Sequence, residues 1–270
     1  MTFSKFLNYI ANPKFIVKNL IKKLPLMTFI GKIAWDAVPR PEYCYGVLQA
    51  AQQAHSLKIK KISVIEFGVG RGHGLITLEN AALRISNYFN IQIDIFGFDL
   101  GIGLPKPVDY RDLPYYWRQG LFKMDIDTLE KKLKKSHLLI GDVSKTIPDF
   151  INSNTAPIGF VAFDLDFYSS TKSALNLFNA RHCLFLPRVV CYFDDILSND
   201  MVYHSEFTGV PLAIEEFNQK NSDRKIAKMH GLRYIRMIPD TWNEKIFVFH
   251  YFSHPLFSKY IYPEKIYRRG

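Results

Sequence analysis

The sequence predicts an α/β fold that is built around a mostly parallel, seven-stranded sheet and ends in an antiparallel hairpin. Three observations lead to this prediction. Five apolar runs alternate with segments of helical periodicity, two more apolar runs follow near the C-terminus, and 48% of the 270 residues are hydrophobic. Continuous apolar strands separated by helices are typical of a parallel sheet that is covered on both faces. The length and composition allow one sizeable core.

The individual elements follow from local patterns. The five runs expected to form parallel strands cover residues 61–68, 92–99, 137–142, 158–164 and 188–194. Apolar residues at helical spacing predict helices over residues 41–57, 74–89, 125–135, 143–153, 169–180 and 211–220. The last two apolar runs are joined by the polar sequence DTWNE, which predicts a hairpin between residues 233–239 and 245–252.

We expect one domain over residues 41–270, preceded by a basic helical arm at residues 1–40. The arm holds six lysines and one arginine against a single acid, Asp36. Its apolar residues recur at helical spacing, and two prolines divide it into short amphipathic helices. We weigh three roles for residues 1–34. They pack on the domain or on a second subunit, which would give a homo-oligomer, they dock on an anionic membrane surface, or they close over the acceptor.

The net charge of +10 suggests an anionic partner. The lysines cluster in the terminal arms and form no recognised RNA-binding motif, so we expect no nucleic-acid partner. The three cysteines form no C-x-x-C pair, which argues against a zinc site or a disulfide framework and fits a reducing cytoplasm. No apolar run is long enough to span a bilayer. We therefore expect a cytoplasmic protein that is at most peripheral on the inner face of the membrane.

The stretch VIEFGVGRGHG, residues 64–74, joins the first strand to a helix through a glycine-rich turn. Glycines let a ligand approach the backbone closely, and the N-terminus of the following helix offers N–H groups. The spacing does not match G-x-G-x-x-G, the fingerprint of dinucleotide sites. The turn therefore predicts a nucleotide-type cofactor site of another kind, which is formed by Gly68, Gly70, Arg71 and Gly72.

Acidic residues accompany the ends of the first three strands, at Glu66, Asp99 and Asp142. Ligands of open α/β sheets bind at these carboxyl ends. Carboxylates suit a pyrophosphate poorly, but they suit S-adenosylmethionine, which carries a sulfonium, an amino group and two ribose hydroxyls. We expect Asp99 to accept from both ribose hydroxyls, Glu66 to hold the methionine end directly or through water, and Asp142 to lie on the adenine side.

Two further strands each end in a pair of aspartates, Asp164 with Asp166 and Asp194 with Asp195. Neighbouring parallel strands would bring these carboxylates together, where they repel one another. A divalent cation relieves the repulsion, and oxygen ligands of this kind suit magnesium or calcium. The alternative partner is a basic side chain, Lys172 or Arg188.

Six motifs, taken in order, resemble the macrocin O-methyltransferase family over roughly residues 40–220: IEFGVGRG, GFDLGIGLP, LLIGDVSKTIPDF, AFDLDFYSST, FDDI and GVPLAIEEF. The resemblance implies a Rossmann-like class I methyltransferase fold. It also implies O-methylation of a sugar hydroxyl that depends on S-adenosylmethionine and Mg²⁺. The metal would lie on Asp164, Asp194 and Asp195, and Asp99 would bind the ribose.

The general base stays open. Some members of the family have a histidine three residues after the first metal aspartate, where this sequence has Phe167. The sequence also departs from the family at residues 100–102 and 186–188. A lone histidine is more often structural than catalytic. The candidates for the base are Asp164, Asp166, the metal-bound hydroxyl, His204 and His73.

We therefore expect an O-methyltransferase that acts on a hydroxyl of a sugar or glycan-type small molecule. Adjacent hydroxyls can chelate a metal, which suits a sugar ring or a catechol. Most contacts to the acceptor should come from residues 1–57 and 196–210. Two rivals stay open. One is a nucleic-acid methyltransferase, suggested by the net charge, and the other is a non-catalytic nucleotide-binding or membrane-docking protein that keeps the fold.

Overall fold

The computed structural model describes residues 13–153 and 155–261, and the expectations for residues 1–12 and 262–270 fall outside this part. The strands found there are β1 Lys61–Phe67, β2 Gln92–Asp99, β3 Ser136–Ile140, β4 Ile158–Phe163, β5 Phe185–Phe193, β6 Arg224–Lys228 and β7 Ile246–Tyr251. They form one sheet in the order β3-β2-β1-β4-β5-β7-β6.

The α-helices of the described residues are α1 Pro13–Lys23, α2 Phe29–Ala34, α3 Pro41–Ser56, α4 His73–Phe89, α5 Ile126–Glu130, α6 Val143–Asn152, α7 Tyr168–Leu175, α8 Gly209–Lys220 and α9 Leu232–Ile235. Short 3₁₀ turns lie at Tyr110–Asp112, Asn176–Asn179, His182–Leu184, Asp194–Ile196 and Thr241–Glu244. Helices α3 to α8 overlap the six helices that the apolar periodicity predicts, although α5 and α7 end five residues earlier than predicted.

The sheet confirms the predicted architecture. Strands β1 to β5 pair with their neighbours in parallel, whereas β7 runs antiparallel between β5 and β6. Every residue of β4 is buried, and so is all of β1 beyond its first residue, which explains their continuous apolar sequences. The carboxyl ends of β1, β2, β4 and β5 meet at one edge of the sheet, where the glycine turn and the aspartates follow.

One predicted strand is wrong. Residues 233–239 do not form the first strand of the C-terminal pair. Gly231, with φ +79°, begins the short helix α9, and Tyr234, Ile235 and Met237 are exposed. The antiparallel partner of β7 is instead β6, whose sequence RKIAK has only Ile226 buried. A charged edge strand of this kind carries little apolar signal, since edge strands are commonly protected by lysines.

The core lies on both faces of the sheet and brings α3 very close to it. A Cβ on Gly46 in α3 would lie 2.1 Å from a ring carbon of Phe160 in β4, so only glycine permits this approach. Tyr43, three residues earlier, is fully buried and packs edge-on against the Phe160 ring. The start of α3 is thereby fixed beside the carboxyl ends of the central strands.

The arm helices contact the segment that precedes β7. Lys18 in α1 forms an ion pair with Asp240 at 2.8 Å, and Lys14 donates to the Pro239 carbonyl at 2.8 Å. Asp36, which is 2% exposed, accepts from Arg236 at 2.5 Å and from the Trp242 indole at 3.2 Å. None of the described helices is long and apolar enough to cross a membrane.

Candidate active site

A row of four phenylalanines aligns the strand ends below the site. Phe67, Phe98, Phe163 and Phe193 lie in register across β1, β2, β4 and β5, and all four are buried. Their ring centroids are 4.5 to 5.4 Å apart from neighbour to neighbour. The residues that follow them in sequence are Gly68, Asp99, Asp164 and Asp194. The aromatic row therefore presents these four residues at one level of the sheet edge.

The glycine turn is held in a left-handed backbone conformation. Gly68, Gly70 and Gly72 have φ angles of +84°, +51° and +81°, which residues with a Cβ adopt only at a cost. A Cβ on Gly68 would lie 1.7 Å from the Asp164 carbonyl oxygen. A Cβ on Gly70 would meet no other described atom within 4 Å. The turn is thus packed at Gly68 and open at Gly70, which leaves room for a ligand.

Asp99, the last residue of β2, ties two loops together. Its Oδ2 accepts from the Gly70 N–H at 2.8 Å, and its Oδ1 accepts from the Gly101 N–H at 2.6 Å. A carboxylate has about four acceptor positions, so two remain for a ligand. Asp99 is half-buried at this edge, and the open space over Gly70 adjoins it. Asp99 therefore both shapes the turn and can accept hydroxyl protons.

The Glu66 side chain is buried more deeply than we expect of a residue that contacts a ligand directly. It is 1% exposed, and its Oε1 accepts from the Tyr43 hydroxyl at 2.8 Å. Its Oε2 is buried without a hydrogen-bond partner among the described residues. Burial raises the pKa of this carboxyl to about 8, against the opposing hydrogen bond from Tyr43. A Cβ on Gly74, in the first turn of α4, would collide with Oε1 at 1.7 Å.

The remaining cofactor candidates are exposed. Asp142 lies two residues beyond the end of β3 and caps α6, because its Oδ1 accepts from the Ser144 N–H at 2.8 Å. This hydrogen bond holds the pKa of Asp142 below its ordinary value. Arg71 is exposed in the glycine turn. Asp142 therefore already has a local role as a helix cap, whereas the structure gives Arg71 no described partner.

Three aspartates form a cluster at the ends of β4 and β5. One carboxylate oxygen from each of Asp164, Asp194 and Asp195 lies within 4.8 Å of the other two. All three side chains are half-buried. Oxygen ligands that share a Mg²⁺ ion lie about 3–4 Å apart, and those on Ca²⁺ up to about 5 Å apart. The observed separation fits a divalent cation, with a small contraction for Mg²⁺.

Repulsion and burial perturb the acids of this cluster. Burial, reinforced by Asp194, raises the pKa of Asp164 to about 7. Burial and the neighbouring aspartates also raise the pKa of Asp195 well above its ordinary value. For Asp194, burial is outweighed by Lys245 and the Tyr192 hydroxyl, which hold its pKa below the ordinary value. The raised pKa values of Asp164 and Asp195 show that the nearby positive charges only partly offset burial and repulsion, and this also favours a cation.

Asp166 lies close to the cluster but is not one of its three aspartates. Its φ of +60° places it in a left-handed turn, and its N–H donates to Asp195 Oδ2 at 3.0 Å. The side chain is 9% exposed, and burial together with Asp164 raises its pKa to about 7. The backbone of Asp166 therefore positions Asp195, while its own carboxyl is left as a protonatable group beside the cluster.

The positive charges near the cluster are not those that the sequence suggested. Arg40 lies 3.7 Å from Asp164, and Lys245 donates to Asp194 Oδ1 at 3.0 Å. Lys172 instead pairs with Glu216 at 2.6 Å, and Arg188 donates to the Phe257 carbonyl at 2.8 Å. The alternative of Lys172 or Arg188 as partner is therefore wrong. The sequence does not indicate a role for Arg40 or Lys245. Each lies in a loop, Arg40 directly before α3 and Lys245 directly before β7.

His204 is held against the start of α8. A Cβ on Gly209 would lie 2.1 Å from its Nδ1, and this nitrogen has no hydrogen-bond partner among the described residues. Burial and the charge of Lys245 lower the pKa of His204 to about 4. The ring is neutral at pH 7, and a pKa this low makes it a weak proton acceptor. His73 begins α4 and is exposed.

A cavity of about 430 Å³ lies beside α1, and it is lined by neighbours of Asp194 rather than by the three aspartates themselves. Glu42, Tyr192 and Lys245 line it, and the last two contact Asp194 directly. Burial raises the pKa of Glu42, although Arg40 opposes this. The other walls come from α1, from residues 36–38 and from residues 240–242. The volume is within the usual range for small-molecule sites, about 300–1,000 Å³.

No protein-family model matches the chain, and no curated protein matches it. Solved structures share its fold. CalS11, a calicheamicin methyltransferase, is 18% identical with a TM-score of 0.51, and the match covers 89% of this chain and 93% of that chain. The O-methyltransferase NovP is 15% identical with a TM-score of 0.52, over 78% of this chain and 79% of that chain. The likeness confirms the class I methyltransferase fold.

Proposed function

We propose that the chain is an S-adenosylmethionine-dependent, metal-assisted O-methyltransferase. One observation carries the proposal. The glycine turn and the three-aspartate cluster are in direct backbone contact, through Gly68 and the Asp164 carbonyl. A methyl donor held over the turn would therefore lie next to a hydroxyl held at the cluster. Such proximity is the main requirement of direct methyl transfer.

The residues of the turn fit a donor with a ribose and a cationic centre. Asp99 would accept from the ribose hydroxyls with its two remaining acceptor positions. Gly70 supplies open backbone beside it, and Glu66 would act on the methionine end through water, since its carboxyl is buried behind Tyr43. Asp142 and Arg71 would border the adenine side from the exposed rim. We expect a change to any of these residues to weaken cofactor binding.

Asp164, Asp194 and Asp195 would hold Mg²⁺ or another divalent cation. When bound, such a cation makes a coordinated hydroxyl more acidic and compensates the negative charge that develops on its oxygen. The chain itself supplies the orientation of the ligands. Lys245 and the Tyr192 hydroxyl fix one oxygen of Asp194, and the Asp166 N–H fixes one oxygen of Asp195.

Asp166 is the group that we propose to receive the acceptor's proton. Its carboxyl is buried beside the cluster without being one of the three metal-binding candidates, so it stays available to accept a proton while they hold the cation. Asp164 would be occupied as a ligand. His204, with a pKa of about 4, is less suited to this role.

We propose a sugar or glycan-type acceptor, in line with the resemblance to the macrocin O-methyltransferase family. The polar lining of the cavity beside the cluster supports this choice, because ring hydroxyls need many hydrogen-bond partners. Two adjacent hydroxyls on such a ring could also reach the metal ligands together. The arm at residues 1–40 would then be a part of the catalytic unit, attached to the domain at residues 41–270.

We further propose that the arm associates with an anionic membrane surface. The outward face of α1 exposes Ile16 and Leu20, which are 46% and 63% accessible, and Leu24 and Leu26 beyond the helix are 47% and 96% accessible. Lys23 borders this face in the last turn of the helix. Apolar side chains with a basic border are typical of helices that lie in the membrane interface.

The experiment that tests the proposed function is a transfer assay with methyl-labelled S-adenosylmethionine and a panel of methyl glycosides and catechols. We expect labelled product with Mg²⁺ and none after exhaustive chelation, while circular dichroism shows that the fold is intact. Restored transfer on adding Mg²⁺ back would tie the loss to the cation. Transfer that survives chelation would mean that the three aspartates have another role.

A further inference from the structure

Arg40, the residue directly before α3, has an unusual backbone and a guanidinium with unused donors. Its φ of +40° and ψ of +70° are left-handed, a conformation that residues with a Cβ adopt only at a cost and that clusters at functional sites. The guanidinium lies 3.7 Å from Asp164, which is too far for a hydrogen bond, and the described residues accept no hydrogen bond from it. Arg40 therefore has donors to offer to a ligand.

The Arg40 side chain is held in place by the start of α3. Its guanidinium carbon lies 4.8 Å from the centroid of the Tyr43 ring. The Tyr43 hydroxyl in turn donates to Glu66 of β1 at 2.8 Å. The Arg40 side chain is 34% exposed, so one side of the guanidinium is open to solvent. The contacts with Tyr43 and Asp164 therefore fix the positive charge beside the ends of β1 and β4 without covering it.

The proposed methyl donor carries one group that the acids of the site cannot bind. Besides its sulfonium, amino group and ribose hydroxyls, S-adenosylmethionine has a carboxylate on the methionine end. Glu66, Asp99 and Asp142 offer acceptors to the cationic and hydroxyl groups, but they repel a carboxylate or leave it without a donor. A carboxylate in a partly buried site needs a cation or several N–H groups. The site must therefore supply a positive charge near the methionine end.

The order of the strands places Arg40 at that end of the donor. Strands β2, β1 and β4 are neighbours in the sheet, and Asp99, the glycine turn and Asp164 lie at their respective ends. A donor with its ribose on Asp99 and its adenine towards β3 directs its methionine end over β1 towards β4. Arg40 lies there, because it pairs with Asp164 and stacks on Tyr43, which holds Glu66.

Two other cations lie at this edge of the sheet, and both suit the carboxylate less well. Lys245 already donates to the side chain and to the backbone carbonyl of Asp194, at 3.0 Å and 2.5 Å, beyond the end of β5. Arg71 is exposed in the glycine turn, on the side that we assign to the adenine. Arg40 combines the right position with the two-pronged donor geometry that matches a carboxylate.

We propose that the guanidinium of Arg40 binds the carboxylate on the methionine end of the cofactor. The inference rests on the proposed function, because it requires S-adenosylmethionine at the glycine turn. It goes further in assigning the one anionic group of that ligand to the last residue of the arm, so that the arm takes part in cofactor binding.

Calorimetric titration with two ligands tests the inference. S-adenosylhomocysteine has the carboxylate, whereas decarboxylated S-adenosylhomocysteine lacks it and keeps the amino group. Mg²⁺ is present throughout, so that Asp164 does not depend on Arg40 alone for a positive charge. We expect the wild type to bind S-adenosylhomocysteine at least about tenfold more tightly than the decarboxylated ligand. Arg40→Gln should weaken S-adenosylhomocysteine binding at least about tenfold and should not weaken binding of the decarboxylated ligand, whereas a loss of packing would weaken both.

Further variants make the comparison specific. Arg181→Gln removes an exposed arginine near the amino ends of the strands, before β5, and should bind both ligands as the wild type does. Arg40→Lys keeps the charge beside Asp164 but loses the two-pronged donor, so it should weaken only S-adenosylhomocysteine, and by less than Arg40→Gln. This variant carries the test if Arg40→Gln does not fold. Arg71→Gln should cause no selective loss of S-adenosylhomocysteine.

Three results would overturn the inference: equal affinity of the wild type for the two ligands, an Arg40→Gln variant that retains the wild-type affinity for S-adenosylhomocysteine or loses both ligands alike, or a selective loss in Arg71→Gln instead of Arg40→Gln. A wild-type protein that binds neither ligand would instead contradict the proposed function itself.

Discussion

Gly68 and Asp164 are in van der Waals contact through their backbones, and this contact joins the glycine turn to the aspartate cluster. A Cβ on Gly68 would lie 1.7 Å from the Asp164 carbonyl oxygen. The Asp164 N–H also donates to the carbonyl of Phe67, the residue before the glycine, at 2.9 Å. Any displacement of the turn must therefore move the first aspartate of the cluster. The two halves of the proposed site are mechanically coupled.

Replacing Gly68 by alanine should damage both halves at once. The left-handed φ of +84° costs alanine about 1–2 kcal/mol, and the collision with Asp164 adds to this. Gly120→Ala is a matched control, because its φ is +83° and a Cβ there would meet no other described atom within 4 Å. We expect Gly68→Ala to lower the free energy of unfolding by at least about 3 kcal/mol, measured by urea unfolding, and Gly120→Ala by about 1–2 kcal/mol. Equal effects of the two changes would show that the close contact is absent.

Glu66 should make the protein less stable as the pH rises. Its pKa is about 8 in the folded chain against an ordinary value of 4.5, so the folded state holds this proton more tightly than the unfolded state. The stabilisation is complete below pH 4.5 and is lost as the pH rises towards 8, with a slope of up to about 1.4 kcal/mol per pH unit. In Glu66→Gln this contribution is absent.

Urea unfolding at pH 5, 6, 7 and 8 measures the effect of Glu66. The free energy of unfolding of Glu66→Gln should fall less steeply than that of the wild type over this range. The difference between the two proteins reports Glu66 together with its electrostatic interaction with Asp164, because the other perturbed acids are present in both. Parallel curves would mean that the Glu66 carboxyl is ionised in the folded protein at these pH values.

Asp195→Asn should weaken the binding of a divalent cation. Mn²⁺ is a suitable probe, because its electron paramagnetic resonance signal distinguishes free from bound ion without any methyl transfer. Changes to groups that only orient ligands commonly reduce metal affinity about 10–100-fold, so loss of a ligand's charge should cost at least about tenfold. Asp200→Asn, in the exposed loop that follows the cluster, should have no effect. Equal Mn²⁺ affinity in the two variants would remove Asp195 from the metal site.

The outward face of α1 should mediate binding to anionic vesicles. Each lysine near such a surface contributes on the order of 1 kcal/mol, and exposed apolar side chains add to this. The wild type should sediment with phosphatidylglycerol-containing vesicles at low salt and not with neutral phosphatidylcholine vesicles. The double variant Ile16→Glu with Leu20→Glu should lose binding, whereas Leu83→Glu, at a 51% exposed position on α4, should retain it.

Light scattering separates membrane docking from self-association. If the wild type ignores anionic vesicles and forms a dimer that the Ile16→Glu, Leu20→Glu variant disrupts, the face belongs to a second subunit. That outcome would discard membrane docking and would establish the homo-oligomer that the sequence left open.

Residues of the sheet were predictable from the sequence because burial dictates their type. The parallel strands are continuous apolar runs, and β1, β2, β4 and β5 each end in phenylalanine or in phenylalanine followed by aspartate. This shared ending is a signal that the strand ends lie in register, and it singles out Asp99, Asp164 and Asp194 together. The edge strand β6 was missed because it has a single buried residue, Ile226.

The groups that complete the site could not be predicted, because their partners are distant in sequence. Lys245 contacts Asp194 and Tyr43 contacts Glu66 only after the chain has folded. The sequence also did not indicate how deeply the Glu66 side chain is buried. Its place before the glycine turn suggested a ligand contact, but the close packing of Gly74 shows that its carboxyl lies beneath α4. The cap formed by Asp142, by contrast, could have been predicted, because an aspartate directly before a helix is a common N-cap.

Calorimetric titration with S-adenosylhomocysteine tests the central claim most directly, since it requires neither the acceptor nor the metal. We predict that the wild type binds one equivalent and that Asp99→Ala weakens binding by about 1.5–3 kcal/mol, the value of a hydrogen bond to a charged group. Asp94→Ala removes an aspartate from the same strand, where it pairs with Lys61 at the surface, and should bind as the wild type does. A wild-type protein that takes up no S-adenosylhomocysteine, or an Asp99→Ala variant that binds with unaltered affinity, would contradict the account.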